Sequence, residues 1–306
     1  MPSEPSIRVG FVGVGTMGAP MVGCLVRAGF RPDILDSDDA AAGNVAREFG
    51  LRRVDDAAAL GRVSDIVILM LPNSAIVRMV CLGRGPSAPG LADTLKPGAI
   101  IIDMSSSDPT ETRRLGTELA ERGITLVDAP VSGGVRKARS GSLAILVGSD
   151  SDGASDRVAA LLGAMGTVYP TGALGTGHAA KALNNYVSAA GLAAACEAVI
   201  VGKAFGLDPD TLVRVLNAST GRNNSTENKV AQFILSGAFR DAGFAMDLMA
   251  KDVGLAAGLA QGVGRDMPGL KEAAVLWQAA SAALGPGADH TEIFRYLNRD
   301  GALDGA

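Results

Sequence analysis

The chain is poor in the residue types that most often announce a function. Its 306 residues include 2 histidines, 1 tryptophan and 3 cysteines. Cys24, Cys81 and Cys196 are far apart and match no metal-ligand spacing, so no metal site is expected. An odd, sparse set of this kind points to free, buried thiols in a reducing compartment. Aromatic residues make up 4% of the chain, while glycine and alanine are abundant. That composition suits close helix–helix and helix–sheet packing better than a β-sandwich. The net charge of −4 is mild and no basic run is present, which argues against nucleic acid or an anionic membrane surface as a partner. The polar opening "MPSEPS" passes straight into a strand pattern, so no secretory signal is expected. The most apolar segment, 187–205, contains Ser188, Gly191, Glu197 and Lys203. It is too polar for a membrane span and reads as a core helix. A cytoplasmic protein is expected.

What is present is a change of pattern along the chain. Length favours two domains, and 47% apolar residues suffice for a sizeable core. Short β-branched runs are predicted as strands at 7–12, 33–35, 65–71, 99–104, 124–129 and 143–148. Helical patterns lie between them at 17–29, 39–49, 56–61, 74–82, 88–94, 109–121 and 152–164. Continuous apolar strands alternating with helices indicate a mainly parallel, doubly wound sheet, the α/β Rossmann class. Beyond about residue 177 only helices are expected, at 178–205, 208–218, 226–235, 244–262, 268–284 and 289–298. The domains are therefore placed at 1–172, an α/β dinucleotide-binding domain, and 173–306, an all-α domain.

The first strand runs directly into Gly13-x-Gly15-x-x-Gly18, which opens a predicted helix. In that context each glycine has a role: Gly13 for the tight turn, Gly15 for approach of backbone to a pyrophosphate, Gly18 for close helix–strand packing. Thr16 and Met17 complete the loop, and the helix N-terminus offers N–H groups to phosphate. Asp36 ends the second strand about 20 residues on, where a carboxylate binds the ribose hydroxyls of NAD and repels the 2′-phosphate of NADP. Asp38 and Asp39 deepen the negative charge, so NAD is expected over NADP.

Five phrases, in order, resemble the β-hydroxyacid dehydrogenase family, the group that contains 3-hydroxyisobutyrate dehydrogenase, tartronate semialdehyde reductase and glyoxylate/succinic semialdehyde reductases. They are "GFVGVGTMGAPM", "DMSSSDP", "DAPVSGGVRKARSGSLAILVG", "GTGHAAKALNN" and "MDLMAKDVGLA". The resemblance implies that Lys181 is the catalytic lysine and that Asn185, with Asn184 beside it, helps hold substrate. Ser132, Gly133 and Gly134 match the family's substrate-binding serine–glycine–glycine. Ser106 matches a position near the nicotinamide, Leu71 and Pro72 the loop that covers the cofactor, and Lys251 a lysine that closes over it. For Lys251, a surface position on an amphipathic helix is the competing reading. The resemblance also implies a small hydroxyacid or semialdehyde substrate and a homodimer or homotetramer.

Lys181 and Asn185 are four residues apart and so share a helix face, with Ser188 a turn further on. A lysine does acid–base work if its surroundings lower its pKa, or polarises a carbonyl while charged. Of the two histidines, His178 is a secondary acid–base candidate, and His290 reads as a surface residue beside an N-cap. Arg222, in "STGRNNSTENK", suits either a carboxylate grip or a loop that caps the next helix. The expected activity is NAD-dependent interconversion of a β-hydroxyacid and its semialdehyde, most simply of the 3-hydroxyisobutyrate type. Tartronate, succinic semialdehyde or glyoxylate reduction is the alternative. An imine reductase or a non-catalytic dinucleotide-binding module is a further one; Lys181 argues against the first, and the presence of Lys181, Asn185 and Ser132 argues against the second.

Overall fold

A computed structural model of the chain describes residues 7–151 and 153–299. The chain divides into two compact units, Met1–Lys181 and Ala182–Ala306. The division falls within one helix, Thr176–Phe205.

The first unit is built on a single sheet. Its strands are β1 (Val9–Val12), β2 (Asp33–Leu35), β3 (Ile66–Leu69), β4 (Ile100–Asp103), β5 (Thr125–Asp128), β6 (Val131–Ser132), β7 (Leu143–Gly148) and β8 (Gly166–Gly172). Their order is β2-β1-β3-β4-β5-β7-β6, with β8 paired to β7. β1 to β5 are mutually parallel, whereas β7 runs antiparallel to β5 and β6. Alternate residues of each strand feed opposite cores, as a strand's two-residue period requires. Ile66, Ile68, Ile100 and Ile102 pack with Met21 and Leu25 on one face. Val67, Leu69 and Ile101 pack with Leu60, Leu91 and Leu115 on the other. Burial on both faces explains why these strands read as unbroken apolar runs.

Several elements differ from the sequence expectation. β8 is mostly exposed and contains Pro170, so it lacks an apolar run and lies where no strand was expected. The two-residue β6 and the helix Gly134–Ser140 are likewise additional. The helix expected at 88–94 shrinks to a single 3-10 turn, Leu91–Asp93, because Pro89 and Gly90 immediately precede it and disfavour helix.

The second unit is helical. Around the fully buried Trp277 pack Leu192, Cys196 and Val199 from the long helix, Met249 and Val253 from Met246–Gly262, and Ile293. Among its described residues the only strand-like pairing is an isolated bridge between Ala245 and Asp289. The segment expected as one helix at 226–235 is broken. An α-turn, Asn224–Asn228, gives way to a π-helical turn, Val230–Leu235, with Lys229 at the junction. The long helix is a core helix on one side only. Val187 and Val201 are each 68% exposed and Phe205 88%, all on the side away from Leu192 and Val199.

Candidate active site

Because β1 to β4 are parallel, the segments leaving their C-terminal ends gather along one edge of the sheet, where open α/β sheets bind ligands. These segments are the glycine loop after β1, Asp36 after β2, Leu71 and Pro72 after β3, and Ser105 and Ser106 after β4.

Of the three glycines, only Gly15 faces open space of the kind a bound dinucleotide needs. Gly13 has φ +92°, and a Cβ there would lie 2.2 Å from the Met70 carbonyl oxygen. A Cβ on Gly18 would sit 1.8 Å from the Gly13 carbonyl oxygen, so only glycine allows the helix Gly18–Arg27 to start there. At Gly15, by contrast, a Cβ would meet no atom within 4 Å. Gly13 and Gly18 are thus required by the fold, while Gly15 faces open space. Thr16 beside it is exposed and Met17 half-buried. No side chain caps this helix; its Ala19 N–H bonds back to the Gly15 carbonyl at 3.0 Å. Asp36 is tied to the loop: its Oδ2 accepts from the Val14 N–H at 2.7 Å and its Oδ1 from Asp38 N–H at 2.9 Å. The carboxylate is thereby fixed beside the glycine turn.

The post-β3 and post-β4 loops are locked together. The Leu71 N–H donates to Ser105 Oγ at 2.9 Å, and Ser107 Oγ donates to the buried Asp103 at 2.7 Å. Ser105, not recognised from the sequence, does the tethering; Ser106 is half-buried and Pro72 exposed.

The helix carrying Lys181 is anchored to the same region. Asp128, at the end of β5, accepts from Gly175 N–H at 2.7 Å and His178 N–H at 2.8 Å. Burial raises the Asp128 pKa, opposed by His178 and these two N–H groups. His178 is buried with both ring nitrogens engaged: Nδ1 is 2.8 Å from Thr112 Oγ1, and Nε2 is 3.1 Å from the Ser105 carbonyl. A carbonyl only accepts, so Nε2 carries a proton and donates it there. The expectation of His178 as an acid–base candidate is therefore corrected. The ring is spent on joining the helix start to the post-β4 loop. Lys181 follows one turn later and is 8% exposed. Ser132, also in this unit, is half-buried on β6, and Gly133 and Gly134 adopt φ +135° and +66°, conformations glycine alone adopts readily.

In the second unit Asn185 is buried and Asn184 exposed. Asn185 Nδ2 donates to Asp252 Oδ2 at 2.6 Å, and its Oδ1 accepts from Asn184 Nδ2 at 3.1 Å. The amide of Asn185 is thus fixed in orientation by a buried carboxylate, which the sequence reading passed over although it adjoins Lys251. The Lys251 ammonium lies 3.6 Å from Asp252 Oδ1. Arg222 is exposed and lies 3.6 Å from Glu227, while Asn223 caps the helix behind it. The capping description of this loop is the one the geometry shows. His290, expected at the surface, is buried: Nδ1 is 3.0 Å from Asp289 and its ring stacks edge-on to Phe244. Burial lowers its pKa, opposed by Asp289.

A glycine turn open at Gly15 after the first strand, a carboxylate fixed beside it after the second and a buried lysine beyond the sheet form the arrangement expected of a dinucleotide-dependent oxidoreductase. Comparison with known proteins is specific. Residues 8–175 match the NAD-binding domain of 6-phosphogluconate dehydrogenase, and residues 175–297 match the NAD-binding domain of NADP-dependent 3-hydroxyisobutyrate dehydrogenase. The 2-(hydroxymethyl)glutarate dehydrogenase of Eubacterium barkeri is 38% identical over 254 residues, 83% of this chain and 82% of that one. Human mitochondrial 3-hydroxyisobutyrate dehydrogenase is 38% identical over 257 residues, 81% and 74% of the two chains. The structure of Mycobacterium tuberculosis 3-hydroxyisobutyrate dehydrogenase with L-serine superposes with a TM-score of 0.84 at 30% identity, covering 95% of this chain and 99% of that one. The chain belongs to the β-hydroxyacid dehydrogenase family and is an NAD-binding oxidoreductase of the 3-hydroxyisobutyrate dehydrogenase type.

Proposed function

We propose that the protein oxidises the primary hydroxyl of a small β-hydroxyacid to its semialdehyde, using NAD in preference to NADP, with Lys181 as the proton-transferring group. The observation that carries this reading is a buried lysine one turn beyond a helix start that His178 and Asp128 lock to the sheet edge. Two relatives' named substrates, 3-hydroxyisobutyrate and 2-(hydroxymethyl)glutarate, share a hydroxymethyl group next to a carboxylate and differ in the remaining substituent. That shared head is the substrate class proposed here.

The bound nicotinamide supplies the hydride chemistry, accepting the hydride in oxidation and returning it in reduction. The protein handles the proton. Lys181 Nζ, as the amine, takes the hydroxyl proton as hydride leaves the same carbon; in reduction the ammonium gives it back to the carbonyl oxygen. Asn185, oriented by Asp252, presents its remaining amide N–H and carbonyl lone pair to the substrate. Ser132 and the N–H groups of Gly133 and Gly134 are assigned to the substrate carboxylate. Gly15, Thr16, Met17 and Asp36 are assigned to the cofactor, with Leu71, Pro72, Ser106 and Lys251 covering it. Preference for NAD rests on Asp36, whose fixed carboxylate leaves no room for a 2′-phosphate charge. A homo-oligomer is proposed from the exposed Val187, Val201 and Phe205 on one helix face, and light scattering of the purified protein measures its order.

The test is NADH formation with a panel of β-hydroxyacids, each with NAD and with NADP. Turnover with a higher kcat/KM for NAD supports the reading. Preference for NADP contradicts the role of Asp36, and absence of turnover on every compound contradicts the activity.

A further inference from the structure

Lys181, Asn185 and Ser188 recur at intervals of four and three along the long helix and so share a face. Continued by four and then seven residues, the same face carries Leu192 and Val199, both buried in the core of the helical unit. The polar stripe is therefore the inward face of the helix; the outward one carries Val187, Val201 and Phe205.

At the Ser188 end of this stripe stands a second lysine. Lys229 Nζ is 3.4 Å from Ser188 Oγ, brought there across 41 residues of sequence. Its position is set by the junction where the α-turn Asn224–Asn228 becomes the π-turn Val230–Leu235, a type of irregularity common at functional sites. Among the described residues no carboxylate forms a salt bridge with Lys229. Asp289 acts on it through space, but that carboxylate is occupied by the N–H groups of Phe244 and Thr291, the Thr291 hydroxyl and His290. The neighbouring Cys196 thiol is pushed up to about 12 by burial and stays neutral. Burial lowers Lys229 itself to about 8, so it is still mostly a cation at neutral pH. A half-buried cation whose neighbouring acid is already satisfied gains most from an anionic ligand.

We propose that Lys229, with Ser188, binds a second carboxylate on the α-substituent of the substrate, making the preferred substrate a hydroxydicarboxylate. This rests on the dehydrogenase reading above, with the reacting carbon at Lys181. Seven residues separate Lys181 from Ser188, about 10 Å along the helix, so the group at Lys229 is distinct from the one undergoing reaction. One ammonium and one hydroxyl match a singly charged carboxylate; a phosphate dianion calls for more positive charge.

The test compares wild type, Lys229→Met and Lys229→Arg on 3-hydroxyisobutyrate and 2-(hydroxymethyl)glutarate at saturating NAD. Wild type should favour the dicarboxylate in kcat/KM by about 10- to 100-fold, the weight of one charge-assisted contact. In Lys229→Met that ratio should collapse toward one through KM, and Lys229→Arg should keep most of it. An equal ratio in wild type and Lys229→Met overturns the proposal. If wild type oxidises neither compound, the dehydrogenase reading fails and binding decides the carboxylate site alone. Glutarate, and not butyrate, should then raise the thermal midpoint of wild type but not of Lys229→Met; equal shifts overturn the proposal in that case too.

Discussion

The α/β unit and the helical unit prepare for ligands by different means. In the α/β unit the proposed ligand-facing surface is largely backbone: the loop at Gly15, where a Cβ would meet no atom within 4 Å, and one carboxylate held by the backbone at Asp36. In the helical unit the groups are side chains fixed by other side chains, as Asn185 is by Asp252 across 67 residues. A backbone surface is broken by adding atoms, whereas a side-chain network is broken by removing them.

The largest effect should come from adding one carbon where the fold forbids it. Gly18→Ala places a Cβ against the Gly13 carbonyl and should cost about 1–3 kcal/mol by chemical denaturation, with loss of NAD binding. Unchanged stability would show that the turn relaxes and that the glycine roles are misassigned. Next comes removal in the helical unit. Asp252→Ala leaves Asn185 without its acceptor and should lower kcat about 10- to 100-fold, with Asp252→Asn recovering part of it. A uniform loss in both variants, accompanied by lower melting temperature, would mark Asp252 as structural only. Smaller is Gly15→Ala, the counterpart to Gly18. Its Cβ meets no protein atom within 4 Å, so stability should hold while NAD affinity falls about tenfold. Loss of stability there would blur the distinction between the two glycines.

The smallest effect is a pH dependence. Burial lowers Lys229 to about 8, below its unfolded value, so between about pH 8 and the unfolded pKa the unfolded chain binds the extra proton. Stability of wild type relative to Lys229→Met should therefore rise with pH across that window. Asp289, Cys196 and His290 are common to both proteins. A flat or falling difference would mean that Lys229 is not desolvated.

The same contrast decides what was legible in the sequence. The glycine loop, Asp36 and the parallel strands are local patterns, since one strand–turn–helix unit contains its own reasons. Lys181 and Asn185 were legible through the motif resemblance of "GTGHAAKALNN", to which helix spacing adds only that they share one face. Asp252 and Lys229 were not, because their partners lie 67 and 41 residues away and neither departs from an ordinary helix-surface pattern. His178 and His290 were misjudged for the same reason: each ring meets a distant backbone carbonyl, that of Ser105 for His178 and of Phe244 for His290, which no local spacing announces. The edge strand β8 escaped because it is exposed and interrupted by Pro170.

The most direct measurement is turnover by Lys181→Ala at saturating NAD, alongside NAD affinity and thermal stability of the same variant. Loss of proton transfer should lower kcat by about 10²- to 10⁴-fold while NAD binding persists. A variant that keeps most of its turnover would contradict the assignment of Lys181 and, with it, the chemistry proposed for the stripe it begins.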